Sequence, residues 1–476
     1  MLRFTCRAWL LLLVSLLAVI QVTYAQDRRD DVSYELGNID AVAIDSAAFE
    51  SETAGCEDVK YLKCSTNCEV EGGWPGTNLL AGCRSRLQQS GITFSGKSTH
   101  FGFRKEGGVF TSALPPFTPG DGFKYTGRGE YDCLIDLEKF GGLPHGKLLI
   151  RAEHWYGEFG SGNLNTGSLT PAVFPTFLPV NFDDPGVPVI TNFLFTQPLS
   201  EKLILFAGKS DVLGSTDQDI FAGGDGTDQF VNQALIANPA FLVAMPYTSF
   251  SAGVAMPRKW GGMAGFVRDP QDRTKDFFRF DDLFSKGVIV GGEVKVKTNL
   301  FSKPGEQHIG GVWKHVDLPD LSSVAGPLGQ YPYPSAEPGP ATIKDSYTIY
   351  YGFDQYLWMY SNEPRRGWGM FGRGSVSDGN PSPFEYFLSA GIGGDSPFRK
   401  GDTFGIGWYH NGTTSQLGPG LEALFGPQKG EGVELFYNFQ VTRCINVSPD
   451  FQYIKPGFGA IADDSFVYGM RVNMKL

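Results

Sequence analysis

From Glu431 to Leu476 the side chains alternate between apolar and polar in three consecutive runs. Val433, Leu435, Tyr437, Phe439 and Val441 share one side, opposite Glu434, Asn438, Gln440 and Thr442. Ile445, Val447, Phe451 and Tyr453 oppose Asn446, Ser448, Asp450 and Gln452. Phe466, Tyr468, Met470, Val472, Met474 and Leu476 oppose Gly469, Arg471, Asn473 and Lys475. A strand repeats its side-chain direction every second residue, so each run is a strand with one apolar and one polar face. A chain that closes on such a strand, with aromatics near the strand ends and a polar inner face, is patterned as an outer-membrane barrel.

The same alternation predicts about sixteen strands. They lie near 90–104, 122–139, 146–157, 187–197, 202–212, 247–256, 260–268, 287–300, 305–316, 345–360, 366–375, 384–394, 400–411, 431–441, 444–455 and 465–476. Their connections alternate long and short. Pro198–Glu201, Pro257–Lys259 and Phe301–Pro304 are short, whereas Glu158–Gly186, Gly214–Pro246 and Asp317–Ile343 are long. Short periplasmic turns and long outer loops are the habit of transmembrane barrels, and an even strand count leaves both chain ends in the periplasm. The expected fold is therefore all-β, a transmembrane antiparallel up-and-down barrel of about sixteen strands. The third long loop counted from the first strand, Leu213 to Pro246, carries a helical pattern from Asp228, which is expected to cap a short helix. A loop with its own apolar residues is expected to fold into the lumen as a constriction.

Composition adds few constraints. Glycine (62) and aromatics (14%) are abundant and the mean hydropathy is −0.15, as expected of residues split between lipid and water. Arg3 and Arg7, the apolar run Trp9 to Ile20 and the Thr23-Tyr24-Ala25 site read as a signal peptide over residues 1–25. Residues 26–88 form an acidic, cysteine-containing periplasmic segment, and 89–476 the barrel. The formal charge of −11 argues against nucleic acid as a partner. In an exported chain Cys56, Cys64, Cys68 and Cys83 are candidates for two disulfides, and Cys444 is a possible further partner. No nucleophile elbow, phosphate loop or zinc-protease motif is present, so neither an enzyme nor a cofactor is expected. Gly223 to Phe230 fits a single copy of a calcium-binding nonapeptide, an architecture that requires stacked copies, and no metal is expected.

Several motifs, in order, resemble the carbohydrate-selective porin family of bacterial outer membranes, the OprB-like barrels. They are Gly82-Cys-Arg-Ser-Arg-Leu-Gln-Gln-Ser-Gly-Ile, Asp136-Leu-Glu-Lys-Phe-Gly-Gly-Leu, Phe206-Ala-Gly-Lys209 and Arg399-Lys-Gly-Asp-Thr-Phe-Gly-Ile-Gly. Most specific are Glu434-Leu-Phe-Tyr and Ser448-Pro-Asp-Phe-Gln-Tyr-Ile, followed by Pro456-Gly. The resemblance covers roughly residues 74–476. It implies passive, sugar-selective diffusion through a narrow zone of arginine, acidic and aromatic side chains, which suits hydroxyls and the apolar face of a pyranose. The chain departs from the family in ending on Leu476 rather than an aromatic, and in the stretch Asp27–Gly73.

Inward parity selects Arg128, Glu130, Arg151, Glu153, Trp155 and Arg373 as candidate pore residues. The Gly-Lys motif adds Lys209, and a place at a strand end adds Arg268. The expected partners are small sugars such as glucose, outer-membrane lipid and the barrel assembly machinery, with a homo-oligomer left open. A general diffusion porin, or a secreted β-rich carbohydrate-binding protein or adhesin, are the alternatives.

Overall fold

The computed structural model of the protein describes residues 86–476, apart from 111–120, 159–163, 177–186, 214–218, 244, 277–278, 325–340, 362, 364–365, 427–428 and 476. The signal peptide and Cys56, Cys64, Cys68 and Cys83 lie outside the described residues. Cys133 is a free thiol on the outer side of its strand. Cys444 is disulfide-bonded.

Sixteen antiparallel strands close a barrel in which each pairs with its neighbours in sequence and the last with the first. They are β1 (Ile92–Val109), β2 (Gly122–Asp136), β3 (Lys147–Gly157), β4 (Val189–Ser200), β5 (Leu203–Asp211), β6 (Thr248–Arg258), β7 (Gly261–Arg268) and β8 (Gly287–Leu300). The second half holds β9 (Lys303–Pro319), β10 (Thr342–Met359), β11 (Gly367–Ser377), β12 (Phe384–Asp395), β13 (Thr403–Thr413), β14 (Gly430–Gln440), β15 (Ile445–Lys455) and β16 (Ala462–Lys475). All sixteen expected strands are found. Closure by β1–β16 pairing, from Lys97 opposite Lys475 to Val109 opposite Ala462, leaves no open edge.

The alternation holds along the wall. On β14 Val433, Leu435 and Phe439 are exposed on the outer side while Glu434, Phe436 and Asn438 are buried on the inner. One end of the barrel carries tight turns. Phe301 and Ser302 join β8 to β9 with φ of 57° and 56°, the positive values that a two-residue hairpin turn of this hand requires. The other end carries the long loops, several of which pack together. Val324, Leu421, Phe425, Phe458 and Ile461 form one apolar cluster there, with Leu421 and Phe425 on α3 (Pro419–Phe425). Among the described residues no helix is long and apolar enough to cross a membrane, which says nothing of a barrel that would cross with its strands.

The helical pattern in the third long loop is present but differs from the expectation. Two single-turn helices form, α1 (Gln233–Ile236) and α2 (Pro239–Leu242). Their caps are Asn232 and Asn238, whose side chains accept from the Ala234 and Ala240 N–H groups. Asp228 caps neither helix. Its carboxylate is taken by the wall instead, by Asn473 at 3.0 Å and Lys475 at 3.3 Å.

Candidate functional site: the loop-filled lumen

The loop joining β5 to β6 folds back into the barrel, and its backbone is met there by the inward-facing charges of the wall. Cations meet its carbonyls. Arg471 donates to the carbonyls of Gly226 (2.8 Å) and Gln229 (2.6 Å), Arg373 to that of Leu235 (3.1 Å), and Lys314 to that of Phe241 (3.3 Å). Carboxylates meet its N–H groups. Asp354 accepts from Phe221 (3.0 Å), and Glu434 from Val231 (2.6 Å) and Asn232 (2.9 Å). A loop inside a protein needs partners for every main-chain polar group, and here the lumen wall supplies many of them.

Apolar contacts complete the seat. Phe221, Ala222, Phe230, Ala234 and Leu235 of the loop bury against Phe371, Phe387, Tyr409 and Phe436 of the wall. Inward glycines leave the room. A Cβ on Gly405 would lie 2.7 Å from the Phe230 ring, and one on Gly407 would lie 2.8 Å from Leu235. The β3–β4 loop is a second inward segment, for which the alternation pattern provides no expectation. Its Leu164, Ala172 and Val173 pack with Phe101, Phe103, Val231, Ile454 and Val467.

The predicted pore residues divide into four groups. Arg128, Glu130, Glu153 and Trp155 do come together. Arg128 contacts Glu130 at 3.0 Å and Glu153 at 2.9 Å, and its guanidinium stands 5.5 Å from the centre of the Trp155 ring. Glu153 also accepts from Tyr247 (2.6 Å) and Thr191 (2.7 Å), while the Trp155 indole donates to the Pro175 carbonyl of the β3–β4 loop at 3.0 Å. None of these four residues exposes more than 3% of its surface. The charges of this cluster are met chiefly by one another and by the Tyr247 and Thr191 hydroxyls, on the inner side of the wall.

Arg373 likewise sits beneath the loop, paired with Asp219 as well as with the Leu235 carbonyl. Arg268 reaches the carbonyls of Ser210 (2.9 Å) and Pro246 (3.2 Å), bracing the two ends of the loop. Lys209 is apart from them. Register sets Gly208 beside Ser251 and Ser251 beside Arg268, so alternation puts Lys209 on the opposite face, level with Phe193 and Phe250. Its ammonium donates to the Asp276 carbonyl in the β7–β8 loop at 2.9 Å. The Gly-Lys motif is therefore not a sign of a lumen contact here.

Arg151 keeps some contact with solvent, at 15% exposure, and forms a fork with Asp132 at 2.7 and 3.1 Å. Nearby, Lys97 of β1 pairs with Glu130 at 3.2 Å and with Asp225 of the inward loop. Lys97, Asp132 and Asp225 are each about a quarter exposed, at 25%, 26% and 22%. Asp225 also accepts from the Thr227 N–H (3.0 Å) and hydroxyl (2.6 Å), so the glycine-rich turn is held by its own residues and by Lys97.

A model of the carbohydrate-selective porins, OprB family, matches residues 121–476. The chain belongs to that family. Among solved structures this porin is similar to Pseudomonas putida OprB in its high-pH structure, with a TM-score of 0.67, 16% identity, and coverage of 83% of this chain and 97% of the other. The low-pH structure of the same protein aligns at a TM-score of 0.49 and 14% identity, covering 84% and 98%. A mutant porin of Rhodopseudomonas blastica aligns at 0.42 and 10% identity, covering 81% and 100%. No curated protein sequence matches. At these identities the solved structures speak for the fold, and the family match for the class of protein.

Proposed function

We propose that this porin is a passive outer-membrane channel through which small sugars such as glucose diffuse into the periplasm. The observation that most supports the reading is the inward seating of the β5–β6 loop, which narrows a barrel wide enough for an aqueous channel. Beside that loop Lys97, Asp132, Arg151 and Asp225 remain partly open to solvent. Paired cations and carboxylates offer donors and acceptors to sugar hydroxyls without a net charge that would favour ions. The cleaved segment 1–25 would direct export, 26–88 would remain in the periplasm, and clustered cysteines there would pair as disulfides. Outer-membrane lipid and the assembly machinery would be its partners during insertion, and no catalytic step is assigned.

Liposome swelling tests this directly. Purified protein should admit glucose faster than an amino acid of similar size, and a disaccharide more slowly. Uptake ranked by size alone would identify a general diffusion porin instead. Absence of swelling by inserted protein would end the transport reading.

A further inference from the structure

The family's most specific motif, Glu434 with the following Ser448 to Ile454 segment, meets at one point under both inward loops. Glu434 uses both carboxylate oxygens there. Oε1 accepts the Val231 N–H at 2.6 Å and Oε2 the Asn232 N–H at 2.9 Å. Asn232 is the cap of α1, and its amide nitrogen donates to Oε1 of Gln452 at 3.1 Å. Gln452 in turn donates to the Ala172 carbonyl of the β3–β4 loop at 2.9 Å. The two loops are also joined directly, Phe174 N–H to the Val231 carbonyl (2.9 Å) and Gln233 N–H to the Pro171 carbonyl (3.1 Å). Glu434, Gln452 and Asn232 are fully buried, so water cannot replace a lost partner cheaply.

We propose that Glu434 and Gln452 are positioning residues that clamp the β5–β6 and β3–β4 loops into one rigid constriction, and so set the channel's size limit. The proposal rests on the reading of the chain as a diffusion channel. A carboxyl is the fitting group, because its two oxygens accept from two consecutive N–H groups. A glutamine in its place turns an NH2 toward one of those N–H groups, leaving a buried donor unmatched while the barrel wall keeps its shape. The pairings of Arg471 and Arg373 with loop carbonyls would then hold the loop only loosely.

The test uses the full-length protein in liposomes, with three variants: Glu434→Gln, Asn232→Ala in the loop, and Glu431→Gln at the rim as a control. Folding is checked by heat-modifiable migration in a gel. The readout is the ratio of disaccharide to glucose swelling rates. Glu434→Gln and Asn232→Ala should each raise that ratio severalfold in intact barrels, and the control should not. Wild-type ratios in both variants would overturn the clamp. Should Glu434→Gln fail to fold, Asn232→Ala decides alone, since a loop residue leaves strand pairing untouched. Should wild-type protein show no preference for glucose over the amino acid, the sugar reading fails, and the size ratio still judges the clamp.

Discussion

Glu153 illustrates how much a single lumen residue carries. It is fully buried and receives Arg128, Tyr247 and Thr191 together. Removing one member of such a cluster strands a buried charge, which typically costs about 3–5 kcal/mol. Glu153→Ala should therefore lower the temperature at which the folded band is lost, and the Arg128→Ala, Glu153→Ala double variant should lose less than the sum of the two. Glycine acts by absence at Gly407, where a Cβ would press on Leu235 and Phe230. Gly407→Val should unseat the loop and admit disaccharides faster, with the barrel still folded, as swelling assays would show. Lys209 and Arg151 make a matched pair. Lys209→Met should leave glucose uptake close to wild type because its ammonium is held in the β7–β8 loop, whereas Arg151→Ala should change it. Equal effects would contradict the placement given by the register.

At the scale of elements, the strands were legible, and of the loops only the helical pattern and inward fold of the one between β5 and β6. Period two survives any tertiary environment, because the wall has only an inside and an outside. The loop helices depend on less. Asn232 and Asn238 cap single turns that packing stabilises, while Asp228, an equally good cap by composition, is drawn to Asn473 and Lys475. A usable signal did exist. Phe101, Phe103, Phe371, Phe387 and Phe436 are apolar at inward positions, and Gly405 and Gly407 are inward glycines, which together mark where a loop rests. The outer loops are tied by polar contacts as well. Asn380 donates to Asp320 at 2.8 Å, and Asn380 accepts from the Leu321 N–H at 2.9 Å. The Asn380 amide, then the Ser322 hydroxyl, hold the Asp320 carboxyl below its ordinary range. A depressed acid contributes stability above its unfolded pKa and loses it as pH falls through its folded one, so this tie should weaken below about pH 4. Limited proteolysis should find the outer loops more susceptible there, and Asp320→Asn should produce some of that susceptibility at neutral pH.

For the molecule as a whole, the exposed apolar outer face separates this barrel from a soluble sheet. Leu435, in the middle of β14, is 49% exposed on the outer side. An arginine at mid-bilayer depth costs about 2–4 kcal/mol, so Leu435→Arg should reduce stability to denaturant in liposomes by that order. An unchanged midpoint would place the residue outside the hydrocarbon. The amino-acid order determined by itself the sixteen strands, their inward and outward faces, the alternation of short and long connections, and the motifs that mark the porin family. These are local properties, set by a two-residue repeat and by turn chemistry. Only the tertiary structure decided that the β3–β4 loop joins the β5–β6 loop on the inner side of the wall, that Arg128, Glu153, Trp155 and Arg373 lie beneath them, and that Lys209 belongs to another face. Parity names the side of the wall a residue faces. What waits on that side, water or a folded loop, depends on segments far away in the chain whose backbone groups must find partners once water is excluded.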